Sequence, residues 1–409
     1  MIENTRRNFL AGGAALAAYL GLARHLHAAE RPKFGFDPSK CNINPKFRNH
    51  PLFSGEPVCG VNFGFMAKRG YFRREDVKAM PRQMRESGVN WCILNTHFCQ
   101  EAVFSRKLFL DATFSSGECE LVEIAKRLQD EGIRVILKPC LTVLDGAWMG
   151  AVKFPTYGKQ IEGRDTAEHY WEEWFASFRE TLKYFGDFAS RTDMQAVLVG
   201  AEYTGTIEQT EEWLKTIEEF RRVYDGPISY EFTRNYEPSG KGNEEHKEWW
   251  GKIDFMDAVD FLSFSWYPRA RPFPASGRNE DLCKAPVTTL DEMVAYLKPG
   301  RNEFDRTVKL YGNKPVLFTE AGQRSAHGCC GLPWEGLLDF PYDAEEQANY
   351  MEALFRTFSD RPQWTGLCWW KWDESQPRKH YHPDPKKDCG FRIYGKPACD
   401  VFRRWSGRG

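Results

Sequence analysis

The sequence lacks an excess of charge of either sign: 56 Lys and Arg stand against 57 Asp and Glu, a formal net charge of −1 over 409 residues. With no basic block and no long acidic tail, the footprint of a tight nucleic-acid binder is missing, and a neutral or polar partner fits better. Long apolar runs are missing as well. The Ala/Gly/Leu stretch AGGAALAAYLGLA near the start has about 13 residues, against the roughly 20 that a bilayer-spanning helix needs, and no later segment is apolar enough to span a membrane. No GxGxxG or P-loop follows the first apolar run, and neither a nucleophile elbow nor a thiol-protease set is present. Dinucleotide, nucleotide and serine- or cysteine-hydrolase chemistry therefore lose their usual signals. Cysteine is not scarce, with 12 in the chain, but no CxxC pair occurs and Cys329-Cys330 is poorly spaced for zinc. At most one or two disulfides are expected, the other thiols being small buried side chains. The segment HYHPDPKKD, His380 to Asp388, reads as a solvated loop rather than a metal site. No metal and no cofactor is expected.

What is present is a globular composition, 42% hydrophobic and 15% aromatic, able to bury a large core. The first 29 residues stand apart. Thr5-Arg6-Arg7-Asn8-Phe9-Leu10, followed by the short apolar stretch, resembles a twin-arginine export signal. It implies a periplasmic or extracellular protein with no membrane insertion once the signal is removed. Residues 30–409 read as one domain.

Along that domain apolar runs alternate with amphipathic stretches. Strands are predicted at 59–66, 89–98, 134–141, 196–203, 227–233, 259–268, 315–322 and 365–373. The clearest helical stretches are 74–88, 117–132, 167–191, 211–226 and 343–362, most of them closing on Gly, Asn or Pro before the next run. Several strands are continuously apolar, the mark of a parallel sheet covered on both faces. Eight strand–helix units predict an α/β fold, a (β/α)₈ barrel, with long loops 142–165, 234–258, 269–289 and 323–342 on the C-terminal face, where such barrels build sites.

Two of the apolar runs end on a carboxylate. VLVGAEYTG carries Glu202 and PVLFTEAG carries Glu320, so both acids project into the mouth of the predicted barrel. Paired carboxyl groups about 5–5.5 Å apart suit a retaining glycosidase, one attacking the anomeric carbon while the other donates and later removes a proton. Tyr267, in SWYP, lies at the end of the sixth strand and is a candidate site residue. Trp370 and Trp372 are the aromatic pair chosen to stack on sugar C–H faces. Asn95, His97 and Lys138 close their strands as donors to sugar hydroxyls. Glu231 in SYEFT is a third strand-end acid and the alternative catalytic partner of Glu320.

Taken in order, LKPCL, VGAEYTG, SWYP, FTEAG, WWKWD and GFRIYGKPACDVFRRW resemble clan A retaining glycoside hydrolases, and more closely the family-113 β-mannanases, over roughly residues 58–405. The resemblance implies Glu202 as acid/base, Glu320 as nucleophile, Tyr267 as the residue that hydrogen-bonds the nucleophile and steadies its ionised form, and a β-linked oligo- or polysaccharide as substrate. Two positions depart from the pattern. Ala201 stands where clan A enzymes usually place Asn, and Cys140 stands where a KPH-type sequence places His. The rival reading is a non-catalytic carbohydrate-binding barrel.

Overall fold

Each of the eight apolar runs forms a strand, and each strand is hydrogen-bonded in parallel to the next. The computed structural model describes residues 31–154, 160–161, 163–234 and 252–408; the expected export signal lies outside them. The strands are β1 (Val58–Phe63), β2 (Trp91–Gln100), β3 (Arg134–Val143), β4 (Ala196–Ala201), β5 (Ile228–Arg234), β6 (Leu262–Trp266), β7 (Val316–Ala321) and β8 (Trp364–Trp369). They close in sequence order, with β8 pairing back onto β1. This is the eight-stranded α/β barrel. Closure depends on one residue in particular. Gly366 lies at φ +129, and a Cβ there would come within 2.3 Å of the Val58 carbonyl oxygen, so only glycine lets β8 approach β1.

The alternation of side chains across each strand separates two cores. Outward residues such as Val61, Val135, Leu137, Val197, Tyr230 and Phe318 pack under the helices. Among these helices are α1 (Glu118–Asp130), α2 (Thr166–Arg191), α3 (Thr210–Phe220) and α4 (Ala344–Phe358), and then α5 (Ala398–Ser406) at the C-terminus. Inward residues Val58, Trp91, Ile93, Ile136, Leu198, Leu317 and Cys368 form a second cluster, joined by Phe36, Ile43, Phe47, Leu52 and Phe53 from the segment before β1. That segment plugs the N-terminal end of the barrel. Among the described residues no helix is long and apolar enough to cross a membrane.

Above this apolar floor the barrel interior turns polar. On β2 and β3 the inward positions run from Trp91, Ile93 and Ile136 to Asn95, His97, Lys138 and Cys140, with Asn95 paired in register to Lys138 and His97 to Cys140. Buried polar groups need partners, and these partners form the base of the site. All twelve cysteines are free, within the expected limit of one or two disulfides. Most of the thiols are buried in the core, as small apolar side chains are.

Candidate active site

A cavity of about 680 Å³ opens at the C-terminal end of the strands, and both Glu202 and Glu320 line it. Strand irregularities aim them. The β6–β7 register slips between Phe264/Phe318 and Ser265/Glu320, a bulge that re-aims the side chain following it. Glu202 lies one residue past β4 with φ +57, left-handed backbone that is uncommon outside glycine and tends to mark functional sites. Its N–H donates to the Glu231 carbonyl at 2.9 Å, which fixes the turn.

Glu320 is held on three sides. The Lys138 ammonium donates to its Oε1 at 2.5 Å, the Tyr267 hydroxyl donates to its Oε2 at 2.9 Å, and Ser265 lies 3.5 Å from Oε2. Burial pushes the Glu320 carboxyl up to about 7, with Lys138 and Tyr267 opposing the rise. Glu202 accepts from Thr233 Oγ1 at 2.9 Å. Its carboxyl is also raised, first by burial and then by the facing Glu320 charge. The two acids differ in their direct contacts: Glu320 touches a cation and a hydroxyl that favour its anion, against the Glu231 charge, while Glu202 touches a hydroxyl and faces the Glu320 charge, with Lys138 opposing from farther off. Such a contrast is what separates a nucleophile from a proton donor.

Glu231 is placed differently. It is fully buried, its Oε1 accepts from Lys138 at 2.5 Å, and it does not line the cavity. Lys138, 2% exposed, therefore bridges Glu231 and Glu320. Both carboxylates raise its pKa against the opposing effect of burial. Its ammonium is committed to carboxylates rather than left to meet a sugar hydroxyl.

Of the remaining residues singled out in the sequence, Tyr267 and Trp370 line the cavity, and Trp370 packs edge-on against Phe65 at 4.7 Å. Asn95, His97 and Trp372 lie behind its surface. Asn95 donates to the carbonyls of Phe63 and Ile93. His97 accepts from the Met66 N–H at 2.8 Å and contacts Thr142 at 3.0 Å. Burial, reinforced by Lys138, pushes its imidazole down to about 3, so it is a neutral, fully bonded side chain. Trp372 is 2% exposed and packs on Tyr394. The pairing of Trp370 with Trp372 assumed strand alternation, but β8 ends at Trp369. Cys140 is buried next to Asn95 Oδ1, at 3.5 Å, and burial raises its thiol to about 12.

Several cavity residues went unread in the sequence. Thr233 shares the β5 face of Glu231, and that period-2 relation was a usable signal. Phe65, Arg324, Trp334 and Lys371 had no comparable signal. The segment read as a solvated loop contributes His380, Tyr381 and Asp388 to the cavity wall. It is drawn in because the buried Lys396 ammonium binds the Asp388 carboxylate at 2.8 Å.

Comparison with known proteins agrees with this architecture. The profile of Glycoside Hydrolase Family 113 matches residues 61–396. The solved structure of a GH113 β-1,4-mannanase is similar at 25% identity with a TM-score of 0.66, over 86% of this chain and 99% of that one. The GH113 β-mannanase AaManA from Alicyclobacillus acidocaldarius, in complex with ManMIm, is similar at 24% identity and a TM-score of 0.65, over 87% and 98%. A search of curated proteins gave no match. With the profile spanning most of the barrel, the chain belongs to glycoside hydrolase family 113.

Proposed function

We propose that this protein is an exported retaining β-glycoside hydrolase acting on β-mannan or a related β-linked oligo- or polysaccharide. The observation that carries the reading is the pair Glu202 and Glu320 on one cavity, the second of them flanked by Lys138 and Tyr267. In the first step Glu320 attacks the anomeric carbon while Glu202 gives its proton to the departing glycosidic oxygen. A glycosyl ester on Glu320 forms and the aglycone leaves. In the second step Glu202, now ionised, takes a proton from water as the water oxygen attacks the same carbon and the ester bond to Glu320 breaks. The proton thus returns to Glu202 and the anomeric configuration is kept. Lys138 and Tyr267 stabilise the Glu320 anion both before attack and as it is released. Trp370 and Phe65 offer apolar faces to the sugar ring.

The mannan assignment is supported by the β-mannanases among the similar structures, and export by Arg6-Arg7 with its short apolar stretch. The test is hydrolysis of β-linked manno-, gluco-, xylo- and galacto-oligosaccharides by the protein beside Glu202→Gln and Glu320→Gln. Turnover of the manno series, lost in both variants, is expected. Turnover of another series alone would overturn the sugar assignment. Full activity in either variant would overturn the roles given to the two acids.

A further inference from the structure

Apart from the catalytic cleft, three side chains converge on the loop that follows β7. His327 Nδ1 lies 3.4 Å from Asp343 Oδ2 and 3.4 Å from Glu346 Oε2, and the three donor atoms all fall within 4.8 Å of one another. The imidazole is oriented from behind: its Nε2 is 2.8 Å from the Ala285 carbonyl. A carbonyl only accepts, so Nε2 carries a proton, and Nδ1 faces the two carboxylate oxygens. A distance of 3.4 Å is long for an N–H···O bond, which runs at roughly 2.7–3.2 Å. It matches the ligand-to-ligand edge of a tetrahedral shell, roughly 3.3–3.5 Å when metal–ligand bonds are about 2.0–2.2 Å.

Two features of the surroundings bear on the cluster. Among the described residues neither Asp343 nor Glu346 has a Lys or Arg within ion-pair distance, although their side chains are only 19% and 0% exposed. Among the described residues, His327 is the only group that can serve as their cation at that distance. Adjoining them, Gln323 is fully buried with its amide nitrogen 3.5 Å from Glu346 Oε1, and its own Oε1 has no hydrogen-bond partner. The scaffold is also rigid. Asp343 N–H donates to the Ser325 carbonyl, His327 N–H to the Pro341 carbonyl, and Ala326 bridges Tyr342. Asp343 Oδ1 caps α4 through the Glu346 N–H, and Glu346 itself accepts from the N–H groups of Gly328 and Cys330.

We propose that His327, Asp343 and Glu346 bind one divalent first-row cation, of which zinc is the type, with water completing the shell. A carbonyl that accepts from the far nitrogen of a ligating histidine is the usual arrangement. The ion ties the loop bearing Arg324 and Trp334, both on the cleft wall, to the start of α4. It is structural, and no step of the hydrolysis passes through it.

The test uses the full chain, stripped with EDTA and dialysed, then titrated with Zn²⁺ by calorimetry and by thermal melting. One zinc per chain and a higher Tm are expected. Asp343→Asn keeps the helix cap, His327→Gln keeps an amide able to reach the carbonyl, and each should lose at least about tenfold in affinity, with no zinc-dependent rise in Tm. Absence of stoichiometric zinc would overturn the proposal. So would equal binding by both variants, which would put the ion on the free thiols. Co²⁺ loaded into the unaltered chain supplies a readout independent of the variants: a four-coordinate nitrogen and oxygen spectrum is expected, and a thiolate charge-transfer band would refute the assignment.

Discussion

Replacing Tyr267 with Phe removes one hydroxyl and leaves the ring in place. That hydroxyl donates to Glu320 Oε2 at 2.9 Å and favours the ionised carboxylate. A hydrogen bond to a charged group is worth roughly 1.5–3 kcal/mol. At about 1.36 kcal/mol per pKa unit, its loss raises Glu320 by about 1–2 units from a starting value of about 7. The sign follows from the direction of the contact: the donor stabilises the anion, so without it the carboxylate holds its proton to higher pH. Because kcat/KM reports groups of the free enzyme, its acidic limb, where activity is gained as Glu320 ionises, should move to higher pH in Tyr267→Phe. The assay is kcat/KM on a β-linked oligosaccharide from acid to mildly alkaline pH, with the melting temperature measured alongside. A limb that stays in place while the protein remains folded would refute the role given to Tyr267.

Lys138→Met leaves Glu231 and Glu320 buried without their shared cation. Removing one partner from a buried pair costs roughly 3–5 kcal/mol, to be read by urea unfolding at neutral pH. Burial already raises both carboxyls, so the penalty comes from their ionisation. It should be largest at neutral pH and above, and shrink as pH falls into the ordinary carboxylate range where both are protonated. Glu231→Gln, at a residue outside the cavity wall, should lower kcat/KM far less than Glu202→Gln or Glu320→Gln, whose losses should be on the order of 10²–10⁴ or more; equal losses would make Glu231 the acid. Trp370→Ala should weaken substrate binding by up to about tenfold, the worth of one aromatic stacking contact, visible mainly in KM.

The barrel was readable because its strands are short continuous apolar runs separated by helices that stop cleanly, a pattern set by local periodicity and burial. The acids were readable for the same reason: a carboxylate ending VLVGA or PVLFT has nowhere to point but the mouth. What escaped depended on partners distant in the chain. Lys138 looks like a free donor at a strand end until Glu231 and Glu320, about 90 and 180 residues on, are folded against it. His97 and Asn95 alternate correctly along β2, but the Met66 N–H and the carbonyls that occupy them are set by how β1 and its loop fold back. Trp372 lies past the end of β8, where alternation no longer assigns a face. The 380–388 segment reads as polar and solvated, yet the buried Asp388–Lys396 pair pulls it onto the cleft, a contact no local pattern encodes.

In the proposed reaction Glu320 becomes covalently bound to the sugar. The most direct measurement is to trap that ester with an activated 2-deoxy-2-fluoro-β-glycoside of the sugar the enzyme hydrolyses, then to map the mass increase by peptide sequencing in the mass spectrometer. A single adduct is expected on the peptide containing Glu320, unchanged in position in Glu231→Gln and absent in Glu320→Gln. An adduct on Glu202 or Glu231, or release of the inverted anomer with no adduct at all, would contradict it.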